Sequence, residues 1–97
     1  MAIVGARFVH FGFHWSGVPK VNELEPIFNL ALDWARYAPN SWILWTNTDL
    51  ETWLGRIKPL LGEGDHVFIG EMNLASTPAN YTGWAENWLW DWIQKHR

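Results

Sequence analysis

The chain of 97 residues is short enough for a single domain, and its hydrophobic fraction of 48% suffices for a packed core. Its net charge of −3 and the absence of a strongly basic stretch argue against nucleic acid as a partner, and the lack of Cys excludes disulfides and thiolate metal sites. With no signal-peptide pattern and no window of ~18 apolar residues, we expect a cytoplasmic protein without membrane contact or cofactor.

The first predicted element is a strand over Ile3 to Trp15, which is rich in β-branched and aromatic residues and contains no Pro. Strand alternation gives this segment an apolar face that should pack on helices: Val9, Phe11, Phe13 and Trp15. The opposite face is mixed and could be open to water or to a partner: Phe8, His10, Gly12 and His14.

A helix is predicted next, from about Val21 to Leu32, because apolar residues recur there at helical spacing. The following segment leaves two alternatives. The helix could continue to Ala38 and stop at Pro39, or Trp34 to Ala38 could be a strand with a hairpin turn at Pro39-Asn40. We favour the strand, whose partner would be the β-rich run from Trp42 to Thr46.

A second helix is predicted to begin at a capping box formed by Thr48 and Glu51, and to end at Gly62 and Gly64. Its apolar stripe is formed by Leu50, Trp53, Leu54, Ile57 and Leu61. A further strand should run from Asp65 to Leu74, and a loop from Ala75 to Thr82.

The last predicted element is a helix from about Gly83 to Lys95. Trp84, Trp88 and Trp92 are spaced at i, i+4 and i+8, which predicts that they form its core face, widened by Leu89 and Ile93. Trp90 points elsewhere and is the best candidate for an exposed indole.

The order of these elements predicts an α+β fold, a ferredoxin-like βαββαβ sandwich over residues 1–97 with an additional Trp-rich C-terminal helix. Right-handed crossovers would place both connecting helices on one face of the sheet. The other face would then be bare unless the terminal helix or a second subunit covers it.

Three segments resemble the SinR-like family of small bacterial proteins: Asn40 to Thr46, Arg56 to Leu60, and Gly64 to Ile69. The resemblance covers roughly Trp34 to Leu74, and more loosely the end of the helix at Trp92. That family is similar in fold to the CRISPR adaptation nuclease and to VapD-type toxins. The resemblance implies a ferredoxin-like dimer whose sheets meet.

The nuclease-like relatives carry an Asp near the end of the first strand, where a divalent cation would be held. The matching segment here, Phe11 to Trp15, has no carboxylate, and hard cations need oxygen ligands. The resemblance therefore favours the fold, whereas the missing Asp counts against the nuclease activity.

The polar residues offer few candidates for chemistry. His10 and His14 share one strand face but lie about 13 Å apart, too far to bind one metal, so we expect ordinary polar residues or a binding or pH-sensing role. We expect Asp49 to provide favourable charge at the start of a helix, Asp65 to form part of a turn, and Glu71 to lie on the surface. Glu71 could instead be an acid near a cleft.

We therefore expect a non-catalytic protein-interaction module, either a homodimer or a protein that binds another protein. Nine Trp residues exceed the needs of a small core, and Trp and Tyr dominate interface energetics. Trp15, Trp45, Tyr81 and Trp90 are the predicted anchors. A phage-encoded inhibitor of a bacterial defence system is one specific form of this hypothesis. The alternatives are a metal-dependent nuclease and a small-molecule sensor that uses the mixed strand face.

Overall fold

The computed structural model describes residues 5–74 and 81–97. The strands are β1 (Arg7–His14), β2 (Asp33–Ala38), β3 (Ser41–Thr46) and β4 (His66–Met72). The helices are α1 (Val21–Phe28), α2 (Leu50–Ile57) and α3 (Asn87–His96), and a 3-10 turn over Lys58–Leu60 extends α2. The predicted loop of residues 75–80 lies outside the described residues.

The strands form one sheet in the order β2-β3-β1-β4, in which every neighbouring pair is antiparallel. The two strands joined by α1 therefore run in the same direction on either side of β3. Likewise, the two strands joined by α2 run in the same direction on either side of β1. The predicted α+β class is confirmed, and residues 34–38 form a strand rather than a helix.

The apolar face of β1 packs against α1 and α2, as predicted, and we call this side of the sheet the helix face. Its fully or almost fully buried residues are Val9, Phe11, Phe13, Leu24, Phe28, Trp42, Leu44, Trp53 and Ile57. The aromatic rings meet edge-on or tilted, and the centroids of Phe11 and Trp53 lie 5.8 Å apart at an interplanar angle of 83°. This layer is the main core of the protein.

The opposite side of the sheet, which we call the α3 face, is partly covered by the terminal helix. A second core lies there, formed by Phe8, Ala35, Ile43, Leu74, Leu89 and Ile93. Of the two covers expected for this face, the terminal helix therefore supplies one, over the part that contains the second core. The rest of this face is not covered by α3.

Helix α1 ends at Phe28, four residues before the predicted end at Leu32. The reason is that Leu32 donates its backbone N–H to the Trp45 carbonyl at 2.9 Å, a sheet contact that leads the chain into β2. The residues after Phe28, which helical spacing alone had assigned to α1, therefore connect the helix to the sheet.

The predicted capping box at Thr48 is also wrong. The N-cap of α2 is Asp49, whose carboxylate accepts a hydrogen bond from the Thr52 backbone N–H at 2.7 Å. The backbone groups of Thr48 form other hydrogen bonds. Its carbonyl accepts one from the Arg7 guanidinium, and its N–H donates one to the Thr46 hydroxyl.

Helix α3 begins at Asn87 rather than at Gly83, so Trp84 precedes the helix and is fully exposed. Leu89 and Ile93 face the sheet, and Trp88 is 47% exposed. The predicted core stripe is therefore right for Leu89, Ile93 and Trp92, which pack on the second core, and wrong for Trp84 and Trp88.

Candidate binding surface

The half of the α3 face that α3 leaves uncovered, which we call the open half, is built from β1 and β4. The strand register pairs His10 with Gly70, Gly12 with Phe68, and His14 with His66. The Phe68 side chain is 73% exposed. Its ring lies over Gly70, where an added Cβ would come within 3.1 Å of the ring. The open half is therefore an aromatic and histidine-bearing surface.

Beside the open half is a cleft of about 450 Å³ between β2 and the start of α3, which we call the aromatic cleft. Its walls are formed by Tyr37, Trp84, Ala85, Glu86, Asn87, Trp88 and Leu89. Tyr37 is 40% exposed and Trp88 47% exposed. Its exposed aromatic rings therefore lie beside polar groups of Glu86 and Asn87.

A hydrogen bond joins the two regions. The His10 Nε2 atom lies 2.6 Å from the Tyr37 hydroxyl oxygen, and the ring centroids of the two residues are 5.7 Å apart. Burial lowers the pKa of His10 below its ordinary value of 6.5, because the protonated imidazole loses hydration. His10 therefore links the cleft to the sheet as a neutral residue at pH 7.

An NMR titration of the histidine ring protons should give His10 a midpoint below 6.5. The folded state then binds fewer protons than the unfolded state. The contribution of neutral His10 to the free energy of unfolding is therefore complete above pH 6.5 and is lost as the pH falls towards the folded pKa. Because burial is the cause, Tyr37→Phe should leave the midpoint low. A midpoint at or above 6.5 in the native protein would contradict the assignment.

The predicted anchors have less exposed surface than expected. Trp15 stacks on Phe13 with ring centroids 5.0 Å apart, and its indole N–H is buried. Trp45 lies between Phe8 and His96. These two indoles pack mainly within the protein.

Tyr81 and Trp90 are also partly buried, in contact with each other at the end of the second core. Their ring centroids lie 6.4 Å apart, and the Tyr81 hydroxyl accepts a hydrogen bond from Arg97. Trp90 is therefore not the exposed indole that the helical spacing predicted.

The exposed aromatic residues are ones that the sequence interpretation did not select. They are Tyr37, Phe68, Trp84 and Trp88. Alternation along β4 could have found Phe68, because it lies on the same face as His66 and Gly70. Trp88 could have been found by taking Leu89 and Ile93 as the centre of the buried face.

The carboxylates singled out in the sequence all have partners that account for them. Asp65 accepts from the backbone N–H groups of Ser16 and Gly62 at 2.9 and 2.8 Å. These bonds lower its pKa to about 2. Glu71 forms an ion pair with Arg7 at 3.4 Å, and Asp49 caps α2. Within residues 5–74 and 81–97, no group of three or more His, Asp or Glu side chains is arranged to hold a metal ion.

Comparison of the chain with protein-family models, with curated proteins and with solved structures finds no match. In the described part of the chain, none of the helices is both long enough and apolar enough to span a membrane.

Proposed function

We propose that the protein is a non-catalytic protein-interaction module that forms a homodimer through the open half and the aromatic cleft. One observation carries this proposal. Among the described residues, all four large aromatic side chains that are exposed lie on the α3 side of the sheet. Exposed aromatic side chains grouped on one side of a small domain are typical of an interface.

We also propose that the fold is the ferredoxin-like arrangement with α3 added. The order β2-β3-β1-β4, the antiparallel neighbours and the two helical connections support it. The resemblance to the SinR-like family, which implies a dimer whose sheets meet, agrees with an interface on the face opposite α1 and α2.

The charge distribution favours a second copy as the occupant of this surface. The residues that β1 and β4 direct to the α3 face include no Asp, Glu, Lys or Arg. A protein with a net charge of −3 can therefore bring two such faces together without opposing like charges in the open half.

The geometry favours a two-fold exchange. Phe68 protrudes from edge strand β4, whereas Tyr37 belongs to the opposite edge strand β2, about 14 Å away across three strand spacings. In a two-fold contact, residue i of one copy meets residue j of the other, and the reverse contact follows by symmetry. We place Phe68 of each copy in the aromatic cleft of the other.

The experiment is to measure solution mass against concentration by light scattering and sedimentation equilibrium. We expect a dimer whose dissociation constant rises at least tenfold in Phe68→Ser, because burial of each Phe contributes about 1.5–3 kcal/mol and the dimer buries two. Trp88→Ser should weaken the same dimer, since it removes a wall of the cleft.

The matched control is Leu30→Ser, which removes another exposed apolar side chain, 62% exposed, from the turn after α1. It should leave the dimer unchanged. A monomer at every concentration tested would refute self-association, and a dimer insensitive to Phe68→Ser would place the interface elsewhere.

A further inference from the structure

We propose that His14 and His66 form a two-histidine site for a borderline divalent transition-metal ion such as Cu²⁺, Ni²⁺ or Zn²⁺. The two residues are directly opposite each other on β1 and β4. Their rings are 5.9 Å apart between centroids, with an interplanar angle of 29°. Both side chains are exposed, so an ion from solution reaches them directly.

The distances suit chelation by the pair. Two imidazole nitrogens that bind one ion at about 2.0–2.1 Å, with a tetrahedral angle between them, bring the ring centroids to about 5 Å. The observed separation of 5.9 Å is within about 1 Å of that value. The Cβ atoms of directly opposed residues in an antiparallel pair are held about 4.5–5.5 Å apart, so the backbone already sets the span.

The donor set decides the class of ion. Imidazole suits Cu²⁺, Ni²⁺ and Zn²⁺, whereas Mg²⁺ and Ca²⁺ require oxygen ligands, and the strand faces around the pair carry no carboxylate. His10 lies about 13 Å from His14 along the strand and is therefore not a third protein ligand. Water would complete the coordination in the single chain. Because His14 and His66 belong to the open half, the titration is made at chain concentrations at which the protein is monomeric, so that the proposed dimer does not compete with the ion.

The test is calorimetric titration of the full chain with CuCl₂, NiCl₂ or ZnCl₂ in a non-coordinating buffer. We expect one ion per chain, with Cu²⁺ bound most tightly and no binding of MgCl₂. Either His14→Gln or His66→Gln should weaken binding at least tenfold, and the double variant should be little worse than either single variant, because one ion needs both rings. Binding should also raise the Tm of the wild type but of neither variant.

His10→Gln is the matched histidine control and should leave the affinity unchanged. If the wild type binds none of the three ions at millimolar concentration, or if each single variant keeps the full affinity, the pair is not a chelating site. Equal losses in His10→Gln and His14→Gln would likewise overturn the proposal. Unchanged circular dichroism of the variants separates loss of the site from loss of the fold.

Discussion

Replacing Trp53 with Ala is expected to destabilise the domain by about 3–5 kcal/mol, the range for removing a large aromatic side chain from a packed core. Trp53 has no exposed surface and contacts Phe11 and Phe28 from the middle of α2. Because small domains are stable by about 5–15 kcal/mol in total, this loss should leave the variant at the margin of folding. Urea unfolding followed by far-UV circular dichroism measures the change without relying on the deleted indole.

The matched comparison is between Trp53→Phe and Trp42→Phe. The Trp53 indole N–H donates to the Thr46 hydroxyl at 3.2 Å, whereas the buried Trp42 N–H has no acceptor among the described residues. Both changes remove similar volume, but only Trp53→Phe breaks a buried hydrogen bond, and Trp42→Phe relieves an unsatisfied donor. Trp53→Phe should therefore be the more destabilising change, by about 1–3 kcal/mol. The reverse order would contradict this assignment of the two indoles.

Local patterns were enough to predict the helix face of the sheet. Alternation of Val9, Phe11 and Phe13 correctly placed one face of β1 in the core, and the β-rich composition of residues 34–38 correctly favoured a strand. These signals are strong because each depends on residues that are neighbours in the sequence and share one periodicity.

The α3 face could not be predicted in the same way, because it depends on contacts between distant parts of the chain. Packing against the sheet decides which residues of α3 are buried, and a stripe based on the spacing of the Trp residues wrongly included Trp84 and Trp88. The pairing of His14 with His66 comes from the register of β1 and β4, which are more than fifty residues apart along the chain. The candidate surface therefore became visible only when the sheet and α3 were placed together.

Asp33 determines how α3 is held against the sheet, and Asp33→Ala is expected to loosen this helix. Its carboxylate Oδ2 accepts from the Trp92 indole N–H at 2.9 Å, lies 2.8 Å from His96 Nε2, and pairs with Lys95 at 3.5 Å. Hydrogen bonds to a charged group contribute about 1.5–3 kcal/mol, but this side chain is one-third exposed, so we expect a loss of about 1–2 kcal/mol.

Asp33→Ala should lower the stability of the whole domain and should also loosen α3 locally. Leu89 and Ile93 would still attract α3 to the sheet, but the last two turns would lose their polar contacts with β2. Hydrogen exchange should therefore quicken at the α3 amides of Asp33→Ala more than at those of α2. Asp91→Ala is the matched control, since it removes an exposed carboxylate from α3 itself. It should change neither the free energy of unfolding nor the free energy of exchange at the α3 amides by more than about 0.5 kcal/mol.

The effect of Asp33→Ala should also depend on pH. Burial would raise the pKa of Asp33, but the hydrogen bonds from His96, Trp34 and Trp92 and the charge of Lys95 together lower it below its ordinary value of 3.8. A carboxyl whose folded pKa is lowered stabilises the protein above the unfolded pKa and loses that contribution as the pH falls through the folded pKa. The stability difference between wild type and Asp33→Ala should therefore shrink as the pH falls below 3.8. A difference that failed to shrink below pH 3.8 would show that Asp33 does not hold α3 as a carboxylate.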